Sequence, residues 1–145
     1  MRIEHYSEAW LPDVKILVEA FHEEAVGEYN GLVDKERVLN TITTCEPENA
    51  FLMVIDGKCQ GLLYGVSFLS MTGEARIFQE VMWYVNKPFR RYGIKLLKEV
   101  ENILKSRGVN TIIMAVLENS KSEKLKRFYA GMGFRKMEEH WIREI

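Results

Sequence analysis

The stretch from Phe78 to Leu117 constrains the fold more than any other part of this 145-residue chain. Phe78 to Val85 is β-branched and aromatic, the composition of a strand, and the run breaks at Pro88. Ile94, Leu97, Val100, Ile103 and Leu104 then recur at helical spacing as far as Gly108, a residue type that commonly follows a helix C-terminus. Thr111 to Leu117 reads as a short buried strand. Two strands joined by a helix over 93–107 make a parallel βαβ unit, because a helical crossover lets the second strand run alongside the first.

The loop inside this unit, Asn86-Lys87-Pro88-Phe89-Arg90-Arg91-Tyr92-Gly93, opens directly into the helix. A helix N-terminus offers free backbone N–H groups and the positive end of the helix dipole, which together suit a phosphate or pyrophosphate. Gly93 permits close backbone approach, and Arg90, Arg91 and Lys95 add positive charge beside it. The loop has neither GxxxxGK[ST] nor GxGxxG, so it is neither a nucleotide P-loop nor a dinucleotide fingerprint.

Composition narrows the class. One domain over residues 1–145, with 47% hydrophobic and 28% charged residues, has chain enough for a core. The apolar runs are strand-length, too short to span a membrane, and Met1-Arg2-Ile3-Glu4-His5 opens no signal-peptide h-region, so the expected location is cytoplasmic. A formal charge of −1 argues against a nucleic-acid binder. Cys45 and Cys59 read as free thiols, and His5, His22 and His140 lack ligand spacing, so no metal site is expected.

Upstream, Val14, Leu17, Val18 and Phe21 share a helical face that follows Pro12, and Asp34 is an N-cap residue for a helix carrying Val38, Leu39 and Ile42. An acidic connection, 21–31, joins them. Phe51 to Ile55 reads as a strand, Asp56-Gly57 as a two-residue hairpin turn, and 61–69 as the returning strand. Thr72-Gly73-Glu74 turns the chain into a strand over 75–85. Ser120-Lys121-Ser122-Glu123 is a capping box for a last helix, and Phe134 to Ile145 reads as one final strand. The expected order, β-α-α-β-β-β-α-β-α-β, is an α+β sandwich round a mixed sheet.

Two motifs in this order carry a resemblance. Arg90-Arg91-Tyr92-Gly93-Ile94-Lys95, with Val85 ending the preceding strand and Phe89 before the arginines, resembles the acetyl-CoA loop Q/R-x-x-G-x-G/A of the GNAT N-acetyltransferases. Asn119 and then Leu125 to Phe134, containing Phe128-Tyr129 and Gly133-Phe134, resembles that family's closing N-x(n)-hY-x-x-x-GF. The resemblance implies a GNAT-like acyl-CoA N-acyltransferase fold, a mixed sheet flanked by about four helices, with a shortened C-terminal strand region. Lys95 departs from the small residue usual at its position. Only a dozen residues follow Gly133 where the family has two strands, so one strand is missing or a neighbouring subunit covers that side. Trp141, Ile142 and Ile145 there point to a homodimer.

What the resemblance implies chemically is transfer of the acetyl group of acetyl-CoA to an amine by direct attack, without a metal. Val85, Arg90, Arg91, Tyr92, Gly93, Ile94, Lys95, Asn119 and Phe128 become cofactor-binding residues. Tyr129 becomes the acid for the departing thiolate, against its alternative as a core aromatic beside Phe128 and Phe134. The base position common in the family, six residues before Val85, holds Gln79, so Glu80, one residue later, becomes the candidate base. Regular alternation places Glu80 with Phe78, Met82 and Tyr84, a facing that a bulge would change, and its alternative is a surface carboxylate. Glu23, Glu24 and Glu28 lie where such proteins build the acceptor site and suit a cationic amine, against plain solvated charges. Lys121, Lys124, Lys126 and Arg127 read as a solvated helix face. A second functional reading is a GNAT-shaped module that holds CoA or a protein partner without turnover.

Overall fold

A computed structural model of the protein describes residues 1–26, 34–44, 46–117, 122–139 and 143. They group into two compact units, Met1–Ala115 and Val116–Ile145.

In the first unit, β1 (Arg2–His5), α1 (Leu11–Phe21), α2 (Lys35–Thr44), β2 (Ala50–Ile55), β3 (Lys58–Leu69), β4 (Arg76–Val85), α3 (Gly93–Ser106) and β5 (Thr111–Ile113) follow one another. The strands form one sheet in the order β1-β2-β3-β4-β5. Its first three pairings are antiparallel, and β4 pairs β5 in parallel across α3. This is the mixed α+β sheet with a βαβ crossover that the sequence predicts.

Local chemistry sets the elements. Pro12 occupies the first turn of α1, where its missing N–H costs nothing. Asp34 Oδ1 accepts the Glu36 amide at 2.9 Å, the expected cap of α2. Asp56 and Gly57 both take positive φ, 50° and 75°, the geometry of a two-residue hairpin turn that joins β2 to β3.

Apolar side chains pack on both faces of the sheet, while the end of β3 from Val66 to Leu69 is exposed. Val14, Leu17 and Val18 of α1 and Ile42 of α2 pack with Leu52, Val54, Leu62, Tyr64, Met82 and Tyr84 on one face. On the other, Phe51 meets Phe78 edge-on with centroids 5.9 Å apart, and the Arg107 guanidinium at the end of α3 lies 5.6 Å above the Phe51 ring. Leu96, Leu97, Val100 and Leu104 of α3 are buried. Arg107 donates to Glu48 O at 2.7 Å and to His5 Nε2 at 3.1 Å, so the end of α3 is tied to β1 and to the turn before β2.

The second unit contains α4 (Ser122–Gly131). Its end is wrapped by Phe134 N–H donating to Tyr129 O and Gly133 N–H to Ala130 O, with Gly133 at φ 87°. The capping-box residue Ser120 lies outside the described residues, as do Cys45, Trp141, Ile142 and Ile145. Cys59 is a buried free thiol whose pKa is pushed up to about 12 by that burial.

Two expectations are corrected. Residues 134–139 are not a strand. Arg135, Lys136, Glu138 and Glu139 are all exposed, so this segment has no apolar alternation to hold against a sheet. The strand expected over 111–117 ends at Ile113, because β4 and β5 pair only at Ile77–Thr111, Phe78–Ile112 and Gln79–Ile113.

Candidate active site

Beyond Gln79 and Ile113 the ladder stops, while β4 runs on to Val85. Val85 is buried and leads through a tight turn, residues 87–92, into α3. Pro88 stands in the second position of that turn, and Asn86 is pinned by Gln60 through both its main-chain and side-chain N–H groups, at 2.9 Å each. No side chain caps α3, and the Gly93 N–H donates back to Arg90 O at the join with the turn. Arg91 is exposed, donates to the Tyr92 hydroxyl at 3.2 Å and lies 4.9 Å over that ring; Ile94 and Lys95 are exposed too. Gly93 sits in ordinary helical geometry, and a Cβ there would lie 3.5 Å from Trp83 and 3.8 Å from Val85. Its small size therefore faces the sheet.

Arg90 turns elsewhere. Its guanidinium pairs with Glu24 Oε2, while Lys87 Nζ and the Tyr84 hydroxyl reach Glu24 Oε1 at 3.2 and 2.9 Å. Burial would raise the Glu24 pKa, but hydrogen bonds from Tyr84, Arg90 and Lys87 outweigh it and hold the carboxyl below its usual range. Burial and then Glu24 push Tyr84 up. Thus the helical turn that follows α1 (His22–Val26), the end of β4 and the 87–92 turn meet on one carboxylate. Of the three acidic residues expected at an acceptor site, Glu24 is committed to this cluster, Glu23 is exposed, and Glu28 lies outside the described residues.

Glu80 is where regular alternation fails. Tyr64 pairs Met82 and the next residue, Gly65, pairs Glu80, so Val81 is an extra residue bulged out of β4. Directly paired residues point to one side, and neighbours on β3 point to opposite sides. Glu80 therefore shares its face with Phe78, Trp83 and Val85, and Met82 and Tyr84 lie opposite, which corrects the expected facing. Its side chain is buried, and Oε2 accepts the Ala115 amide at 2.9 Å. Burial pushes the carboxyl pKa up to about 7, against the smaller opposing effect of the Ala115 N–H.

In the second unit Tyr129 is buried, with Phe128 at 5.6 Å and Phe134 at 5.3 Å between ring centroids. Asn119 lies outside the described residues. Among the described residues no three His, Cys, Asp or Glu side chains cluster as a metal site, and no helix is long and apolar enough to cross a membrane.

The model of the acetyltransferase (GNAT) family matches residues 14–134. The chain belongs to the GNAT family. A search of curated proteins returns no match. Among solved structures, a ribosomal-protein-alanine N-acetyltransferase from Brucella melitensis biovar Abortus 2308 superposes with a TM-score of 0.76 at 11% identity, covering 100% of both chains. A possible acetyltransferase from Clostridium difficile 630 gives 0.75 at 15% identity, covering 99% of this chain and 96% of its own. An aminoglycoside acetyltransferase from an uncultured soil metagenomic sample gives 0.73 at 15% identity, covering 99% and 97%. At these identities the likeness is one of fold.

Two residues of this GNAT chain escaped the sequence reading. Tyr84 read only as a strand aromatic, although it donates to Glu24. Gly65 is the space that permits the bulge: a Cβ there would lie 2.4 Å from both the Gln79 carbonyl oxygen and the Phe78 ring. A glycine inside a strand is a bulge signal, and it was present between Tyr64 and Val66.

Proposed function

We propose that this GNAT protein is an N-acetyltransferase that moves the acetyl group of acetyl-CoA to an amine. The observation that carries the reading is that the β4–β5 ladder ends at Gln79 and Ile113 while β4 runs on to Val85 and the N-terminus of α3, which no side chain caps, in a chain of this family. The α3 amides with Arg91 and Lys95 would hold the pyrophosphate, and Val85 to Lys95 would form the cradle. A free amine attacks the thioester carbonyl, the carbon–sulfur bond breaks, and the thiolate takes a proton. Positioning and main-chain polarisation of the carbonyl supply most of the acceleration. The family-like motif around it supports Tyr129 as the proton donor, with Asn119 and Phe128 as further cofactor contacts. The acceptor is read as a cationic amine facing Glu23 and Glu28. The reading extends to a homodimer, supported by the absence of a strand over 134–139 and by β4 being the ladder partner of β5 among the described residues.

The test is calorimetric titration with acetyl-CoA and CoA, then thiol release over an amine panel that includes an aminoglycoside and an alanine-ended ribosomal-protein peptide. Gly93→Asp is the decisive variant. A Cβ at Gly93 meets Trp83 and Val85 only at ordinary contact distance, but the carboxylate beyond it starts from a buried position, so the variant's melting temperature is measured first; in the folded variant its charge opposes the incoming pyrophosphate. Acetyl-CoA binding should be lost. Unchanged affinity in the folded variant would remove the reading, and binding with no thiol release on any amine would favour a non-catalytic CoA-holding protein.

A further inference from the structure

Where the parallel ladder ends, a side chain makes the next link: Glu80 Oε2 accepts the Ala115 amide just past the Gln79–Ile113 pair. Main-chain rungs hold neighbouring strands roughly 4.7–4.9 Å apart. A rung that runs through a glutamate side chain lets the two main chains separate while still fixing where Ala115 lies. The Val81 bulge aims Glu80 at this point, and Gly65 makes room for the bulge. The carboxyl group is thus buried and already engaged where the ladder ends. A general base must instead reach the proton it abstracts, directly or through one water.

We propose that Glu80 is a positioning residue whose side-chain rung to Ala115 sets the spacing between β4 and the Ala115 main chain where the ladder ends, and that it is not the general base. The proposal rests on the acetyl-CoA reading of that place, since it is where the acyl-bearing arm would lie. Glu80 acts through Ala115 and the strand geometry without touching the reacting atoms.

Glu80→Gln and Glu80→Leu separate the two roles. Glutamine keeps the shape and an oxygen that can accept the Ala115 N–H, but it has no useful basicity; leucine keeps the volume and loses the acceptor. Glu80→Gln should retain acetyl-CoA affinity and kcat within about 3-fold, and Glu80→Leu should weaken affinity and kcat about 10-fold or more. The Ala115 amide should exchange with solvent faster in Glu80→Leu and at the wild-type rate in Glu80→Gln. A Glu80→Gln protein that binds acetyl-CoA normally while kcat falls on the order of 10²-fold or more makes Glu80 the base and overturns the proposal. Wild-type behaviour of Glu80→Leu in binding, turnover and exchange overturns it as well. Should Glu80→Leu not fold, Glu80→Gln alone decides, because rung and base demand opposite kcat values. If the wild-type protein binds no acetyl-CoA, the enzymatic reading falls by itself, and the Ala115 exchange rates still support or overturn the rung.

Discussion

Tyr129 and Glu80 show how differently one residue can be tested when its environment is known. The Tyr129 ring is held between Phe128 and Phe134, so Tyr129→Phe preserves the packing and removes only the hydroxyl. The melting temperature and acetyl-CoA affinity should stay near wild type. Loss of an acid should lower kcat by on the order of 10², the low end of the range for such groups, because a thiolate already leaves readily. A stable variant with wild-type turnover makes Tyr129 a packed aromatic. Glu80 carries a second, thermodynamic signature. Its folded pKa of about 7 exceeds the ordinary 4.5, so the unfolded chain ionises first as pH rises. The native state therefore loses stability between roughly pH 4.5 and 7 and holds the loss above that window. Glu80→Gln has no such loss: relative to wild type it should gain on the order of 2–3 kcal/mol at pH 8 and little at pH 4. Parallel denaturant curves at both values check this.

The bulge in β4 is the feature on which the candidate site turns at the level of elements. Gly65→Ala would force its new methyl onto the Gln79 carbonyl oxygen, a backbone atom that cannot swing aside. The strand pair must shift, at a cost of about 2 kcal/mol or more, and the Glu80 rung should fail with it. Denaturant unfolding and Ala115 amide exchange measure the two effects separately. This is also the limit of what the sequence disclosed. The βαβ unit was legible because helical spacing over 94–104 lies between two strand-like runs, and the Asp56-Gly57 turn because few dipeptides tolerate two positive φ angles. The bulge was not, since counting by twos assigns faces only when no residue is skipped. Past Val81 every facing assignment toward the start of β4 reverses. The first half of the expected final strand was overread, because the charges at 135, 136, 138 and 139 leave 134–139 without apolar alternation. The pairing of Arg90 with Glu24 was also beyond the sequence, because it joins residues 66 positions apart.

For the molecule as a whole, the homodimer reading predicts twice the chain mass in sedimentation at tens of micromolar, and a monomeric mass there rejects it. A second global property follows from Arg107. Guanidinium only donates, so the His5 Nε2 it meets must be unprotonated. Burial and then the Arg107 charge lower the His5 pKa below its ordinary 6.5. The stability due to this arrangement is intact above about pH 6.5 and declines as pH falls toward the lowered folded value, since the unfolded chain takes up the proton first. Arg107→Ala should raise the His5 titration midpoint in NMR. It should also cost roughly 1–2 kcal/mol through the lost bond to Glu48 O and the lost packing on Phe51. The same guanidinium bears on how the chain is made. β1 is synthesised before α3, and the group that fastens His5 lies 102 positions later, so a chain emerging from the ribosome can pair β1 with β2 long before it can lock that edge. Until α3 has been delivered, β1 is held by its ladder to β2, the His5–Phe51 ring contact and the burial of Tyr6, without the guanidinium lock, and a chaperone or a second nascent chain has that interval in which to compete for it.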